Sequence, residues 1–137
     1  MPQFGRRSKE QLSSCHADLQ KLFNEVIKNY DCTILEGHMS NEEQEELFNQ
    51  GKSKLKAGKS KHNNTPSLAV DVAPYHIKKP NIDWDCADNF YLFSGYVLGV
   101  ANQLGIKIRW GGSWDKTLDV RNNKFNDLVN FELVIKW

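Results

Sequence analysis

Apolar residues recur at helical spacing early in the chain, at Leu12, Cys15, Leu19, Leu22, Phe23, Val26 and Ile27. With Ser8 and Gln11 as a capping box, the spacing predicts one amphipathic helix ending near Asn29. Cys32-Thr33-Ile34-Leu35 reads as a short strand closed by Gly37. Ser40 and Glu43 form a second capping box, and Glu42, Glu43, Glu45 and Glu46 suit the first turns of a helix that Gly51 ends. Leu68 to Ala73 reads as a buried strand stopped by Pro74. Phe90, Phe93, Val97, Val100 and Leu104 predict another helix, capped by Asp83 or Asp85 and closed by Gly105. Ile106 to Trp110 is a strand followed by Gly111-Gly112, residues 113–127 read as a polar loop, and Phe131 to Ile135 is the last strand. Helices and short strands interleave, but the crossovers are too irregular for a doubly wound sheet. The pattern predicts an α+β domain with a small antiparallel sheet packed with helices.

Composition narrows the function classes. The 137 residues fit one domain, 1–137, with enough chain to bury a core without staples. Lys plus Arg is 18 against 17 for Asp plus Glu, a balance that argues against a protein built to grip nucleic acid. No apolar run is long enough to span a membrane. The basic N-terminus is not followed by an apolar segment, so no secretory signal is expected. Cys15, Cys32 and Cys86 are odd in number, lie far apart and include no C-x-x-C pair, so they read as reduced core thiols. Lys52 to Lys61 carries five lysines among Ser and Gly and reads as a solvated loop.

Chemistry concentrates in two places. His62 ends a polar loop and Asp71 lies in or beside a strand; a histidine and a carboxylate are reasonable zinc ligands. By spacing alone such a pair is a weak signal. More telling is an ordered series of motifs: Gly37-x-x-Ser40, Gln44, Ser60-x-His62, Ala69-x-Asp71, Pro74-Tyr75, Ile82-Asp83-Trp84, Gly105-Ile106, Arg109-Trp110-Gly111-Gly112-x-Trp114 and Phe131-Glu132-Leu133. In this order the chain resembles the VanY-type zinc peptidases, which include D-alanyl-D-alanine carboxypeptidases and phage L-alanyl-D-glutamate endopeptidases. It is most similar to the short, single-domain phage endolysins.

The resemblance implies a hedgehog/D-Ala-D-Ala-peptidase-like fold and a Zn2+ held by His62, Asp71 and the residue at 130. It implies a general base three positions earlier, at Asp127. Ser60 would sit beside the metal, Gln44 would face the same cleft, and position 39 would meet a substrate carboxylate. Trp110 and Trp114 read as core packing. The implied partner is the stem peptide of bacterial peptidoglycan, cut at L-Ala–D-Glu or D-Ala–D-Ala by a monomer. Its implied location is the host cytoplasm before lysis, or the virion.

Three departures stand out. The His62–Asp71 separation implies an insertion around Asn63-Asn64-Thr65-Pro66; a gapless alignment would place Asn64 at the ligand position, whereas Ser60-Lys61-His62 keeps the local motif. Asn130 stands where the family has a histidine, and it offers only a neutral amide oxygen. Met39 stands where the family usually has an arginine, and it cannot pair with a carboxylate. A second function class follows: a catalytically impaired chain that keeps the fold and acts as a wall-binding or virion-associated protein. His38, beside Met39, is a spare histidine within reach of the cleft.

Overall fold

The computed structural model describes residues 2–123 and 126–135. In chain order the elements are α1 (Arg6–Ser13), α2 (Ala17–Val26), β1 (Cys32–Glu36), α3 (Asn41–Asn49), β2 (Ala69–Pro74), α4 (Ala87–Leu104), β3 (Ile108–Gly111) and β4 (Asp127–Leu133). Short 3₁₀ turns cover Lys61–Asn63 and Val120–Asn122. The four strands form one antiparallel sheet in the order β1-β2-β4-β3, so the expected α+β architecture is what the chain forms.

Register decides what each face of the sheet carries. Val70 of β2 lies opposite Phe131 of β4, and the next pair along is Asp71 opposite Asn130. Opposed residues share a face and consecutive residues alternate. One face therefore holds Val70, Val72 and Phe131, all buried. Helices α2 and α4 cover it: Phe131 meets Phe23 edge-on at 5.5 Å and Phe93 at 6.3 Å. The other face holds Asp71, Asn130 and Glu132.

Helix α3 begins where the capping box places it, with the Ser40 hydroxyl accepting from Glu43 N at 3.1 Å. Gly105 closes α4 at φ 73, a left-handed position suited to glycine. Other expectations need correction. The single N-terminal helix is two. Ser13 and Ser14 turn their hydroxyls onto the carbonyls of Glu10 and Gln11, each at 2.6 Å, and such back-bonding competes with the helix ladder. The chain then leaves the helix to pair with the segment before β2: His16 N donates to Ser67 O and Ser67 N to Ser14 O. His16 restarts α2 as its cap, its Nδ1 accepting from Asp18 N. The apolar stripe runs through the break because both helices bury the same side.

Ser8 is not a cap. It is buried within α1, and its hydroxyl accepts from Ile34 N and meets Thr33 Oγ1, tying α1 to β1. Neither Asp83 nor Asp85 caps α4, which starts after Cys86 without a side-chain cap. Strand β3 begins at Ile108 rather than Ile106, and β4 runs from Asp127 to Leu133 rather than from Phe131 to Ile135. The expected polar loop 113–127 contains a 3₁₀ turn and ends as strand; residues 124 and 125 lie outside the described residues. Cys15 and Cys32 are buried free thiols, and burial pushes Cys15 up to about 11 and Cys32 further up, which leaves both unreactive.

Phe131 is fully buried and touches both covering helices, so Phe131→Ala should lower unfolding free energy by about 3–5 kcal/mol. Chemical denaturation of the two proteins side by side measures this. A loss below about 1 kcal/mol would mean that the helices do not pack on this ring.

Candidate functional site

Asp71 and Asn130 are placed by strand pairing, and His62 is brought to them by a short loop. Ser60 caps the 3₁₀ turn: its hydroxyl accepts from His62 N at 3.1 Å, while Ser60 N donates to Asn63 Oδ1. The turn is fastened on two sides. Met39 N donates to His62 O at 2.8 Å and Asn63 Nδ2 to Met39 O, while Leu68 N donates to Lys61 O. Lys61 Nζ reaches Leu133 O at 2.7 Å and Glu132 at 3.8 Å, and Arg109 also pairs with Glu132, at 2.8 Å. Asn64, the alternative ligand position, is exposed, whereas His62 is 6% exposed and aimed inward.

The imidazole is oriented by its far nitrogen. His62 Nδ1 lies 2.7 Å from Gly37 O. A carbonyl can only accept, so Nδ1 carries the hydrogen, and the neutral ring presents a lone pair on Nε2. Gly37 is required here. A Cβ on it would overlap the Gln11 carbonyl oxygen and the Ser14 hydroxyl, and these neighbours hold the segment, with Gln11 Oε1 accepting from Gly37 N and Ser14 Oγ from His38 N.

His62 Nε2, Asp71 Oδ1 and Asn130 Nδ2 form a triangle with every side 3.3 Å. Two lone-pair atoms face one another, and the Asn130 amide nitrogen lies within hydrogen-bond distance of both. Asn130 is itself buried, at 6% exposed, and its Oδ1 has no hydrogen-bond partner among the described residues. Such an orphaned acceptor costs about 1–3 kcal/mol. Burial opposes protonation of His62, but the bond and charge of Asp71, with Gly37 O and Glu36, outweigh it and raise its pKa above the usual value. The centre calls for a proton, an N–H or a cation.

Asp127 opens β4 opposite Gly111. A Cβ on Gly111 would overlap the Asp127 carbonyl oxygen, and one on Gly112 would overlap the Trp110 ring, so this glycine pair lets the two strands close up. Burial, then the negative charge of Asp71, pushes the Asp127 carboxyl up to about 6, with His62 pulling the other way. Proton exchange near neutrality suits a general acid–base group.

The remaining sequence candidates fall around this centre. Met39 is half-buried on the loop that clasps His62. Gln44 is buried, and its amide donates to Leu55 O at 2.7 Å and Ser53 Oγ at 3.0 Å, pinning the lysine-bearing loop to α3. His38 turns its Nε2 toward Thr65 Oγ1 at 3.3 Å. Trp110 is buried and donates to Leu128 O, while Trp114 lies under the Arg109 guanidinium at 5.1 Å. Sequence reasoning missed Glu36. It pairs with Asp71 across β1 and β2, and burial, then Glu43, raises its pKa. Its place directly before Gly37 at a strand end was the available signal. Among the described residues, no three His, Cys, Asp or Glu side chains are grouped to hold a metal ion, because the third corner is an amide.

Three comparisons place the chain among known proteins. A family model described as phage L-alanyl-D-glutamate peptidase matches residues 1–134. The L-alanyl-D-glutamate peptidase of Escherichia phage T5 is 33% identical over 119 residues, which are 85% of this chain and 84% of that protein. The crystal structure of the Serratia marcescens L-Ala D-Glu endopeptidase ChiX superposes with a TM-score of 0.73 at 27% identity, over 96% of this chain and 90% of ChiX. The LdcB LD-carboxypeptidase shares the fold, with a TM-score of 0.55 at 19% identity over 85% of this chain and 56% of LdcB.

The Asp127 carboxyl yields a pH prediction for the metal-free protein. Its folded pKa, about 6, lies above the ordinary 3.8, so its contribution to stability is full below the ordinary value and is lost as pH rises through about 6. Asp127→Asn removes that loss. In chelator, the melting temperature of the variant minus that of the parent should become more positive by a few degrees between about pH 4 and about pH 8. A flat difference would show that the carboxyl is not held in a desolvating site.

Proposed function

The chain belongs to the phage L-alanyl-D-glutamate peptidase family, and from that premise we propose that it hydrolyses the L-Ala–D-Glu amide in the stem peptide of bacterial peptidoglycan. The observation that carries this reading is the convergence of His62 Nε2, Asp71 Oδ1 and the Asn130 amide, with Asp127 close enough to feel the charges of His62 and Asp71.

Zinc is the cofactor that the family suggests, and the donors of this chain fit it with one weak member. His62 offers a lone pair in a fixed orientation, with Gly37 O behind it as the supporting acceptor that metal-bound histidines ordinarily have. Asp71 offers a carboxylate. Asn130 offers an oxygen only if its amide turns over, exchanging Nδ2 for Oδ1, and the partnerless state of that buried oxygen favours the turn once a cation is present. A zinc ion there would supply Lewis acidity, lowering the pKa of water toward neutrality and polarising the scissile carbonyl.

The chain's own residues do the rest. Asp127 takes the proton from the attacking water as oxygen adds to the carbonyl carbon, and returns it to the nitrogen of D-Glu as the C–N bond breaks. Ser60 acts through His62 by holding its turn, and Met39 borders the cleft as an apolar wall rather than a carboxylate clamp. Gln44 serves the cleft indirectly, by fixing the loop that precedes Ser60. No helix among the described residues is long and apolar enough to cross a membrane.

One observation favours the second reading. The third corner is the Asn130 amide, a weaker zinc donor than an imidazole, which suits a chain that keeps the fold without turnover.

Two experiments test the proposal. Purified peptidoglycan incubated with the zinc-supplied protein should release new N-terminal D-Glu, and Asp127→Ala should lower that rate by about 10²–10⁴-fold without unfolding the protein. An unchanged rate would remove Asp127 from the mechanism. The native chain should hold zinc substoichiometrically at low micromolar metal, whereas Asn130→His should bind one ion per chain and show a zinc-dependent rise in melting temperature that chelator abolishes. If the native chain already holds a full, tight equivalent and the substitution adds nothing, Asn130 is not the weak corner of the site.

A further inference from the structure

Trp84 is unusual among the large apolar side chains. It is 59% exposed, yet its indole is not loose: it stacks on Phe90 of α4 at 5.6 Å with an interplanar angle of 24°. Phe90 thus supports the indole, while more than half of the residue's surface is left to solvent. Its surroundings connect it to the chemistry. Trp84 borders a cavity of about 240 Å³ whose wall also includes Leu128, Val129 and Asp127. It also borders a depression of about 510 Å³ lined by Arg7, Leu35, Tyr75 and Ile82. The residue is therefore common to two hollows, one of which has the candidate general base in its wall.

An exposed, supported ring shared by two hollows suits a polymer that continues past the reacting bond. A flat aromatic face with negative quadrupole charge suits the C–H face of a pyranose, whose hydroxyls then stay in water. On the acyl side of an L-Ala–D-Glu bond there is one amino acid and then the muramyl sugar of the glycan strand. We propose that Trp84 is the platform on which that N-acetylmuramoyl ring stacks, so that the protein recognises the stem peptide as a branch of the glycan rather than as a free peptide. This inference rests on the peptidase reading above and adds the sugar to its substrate.

A matched pair of compounds tests it: N-acetylmuramoyl-L-alanyl-D-glutamate, and N-acetyl-L-alanyl-D-glutamate, in which an acetyl group replaces the sugar. Affinity is read as Kd by calorimetry in chelator, where neither compound is turned over, and as KM with zinc. The native chain should prefer the muramoyl compound. Trp84→Ala should weaken that compound by about tenfold and leave the acetyl compound unchanged, and Trp84→Phe should retain most of the preference. Should the alanine variant lose its fold, Trp84→Leu, which keeps Phe90 covered but removes the flat face, makes the same discrimination. An equal loss for both compounds would make the ring a wall for the peptide and overturn the sugar assignment. So would a native chain that treats the two alike, while leaving the peptidase reading intact. A native chain that neither binds nor cleaves either compound would overturn both.

Discussion

The register between β2 and β4 is the constraint on which the rest depends. It sets Val70 against Phe131 on one face and Asp71 against Asn130 on the other. The apolar pair is locked by the aromatic contacts of Phe131 with Phe23 and Phe93, and that lock is what fixes the polar pair. A slip by one residue would carry a carboxylate into the core and a phenyl ring into the cleft. The hydrophobic effect thus aligns the reactive face without any polar contact having to choose the register. His62 is then added by a loop that holds its ring in one orientation.

The electrostatics of the centre follow from what is and is not paired there. Glu36, Asp71, Asp127 and Glu132 lie on or beside one face of the sheet. Glu132 is answered by Arg109 and Lys61, while among the described residues Asp71 and Asp127 face His62. That imbalance raises the carboxyl of Asp127 and the imidazole of His62 together, the first by burial and repulsion, the second by attraction winning over burial. Both shifts point to the same deficit of positive charge. The Asn130 amide nitrogen meets that deficit with partial charge only, and among the described residues its carbonyl oxygen has no partner.

Much of this was legible in the sequence. The capped α3, the Gly105 stop, the strand ending at Pro74 and the sheet class follow from local rules that tertiary packing does not override. The motif order carried the family, and Ser60-Lys61-His62 picked out the residue that the fold turns toward Asp71 and Asn130, where Asn64 is exposed. What was missed is instructive. The break between α1 and α2 is invisible to periodicity because the apolar stripe stays in phase across it; Ser13, Ser14 and the pairing of His16 with Ser67 decide it. Ser8 looked like a cap and is a buried bridge to β1, since a serine's short-range preference yields when a strand offers it an amide. Glu36 was missed because a strand-end glutamate ordinarily points to water, and only its partner across the sheet shows otherwise.

The loop that carries His62 has a character its sequence conceals. Residues 52–64 are rich in Lys, Ser, Gly and Asn and read as chain that water would reach freely. Yet Met39 N is committed to His62 O and Leu68 N to Lys61 O, while His62 N is held by Ser60 Oγ. In the language of hydrogen exchange, these amides belong with the sheet they clasp, and opening them means lifting the loop from the strands. The entropy of ordering the histidine is thus met during folding, before any ligand arrives.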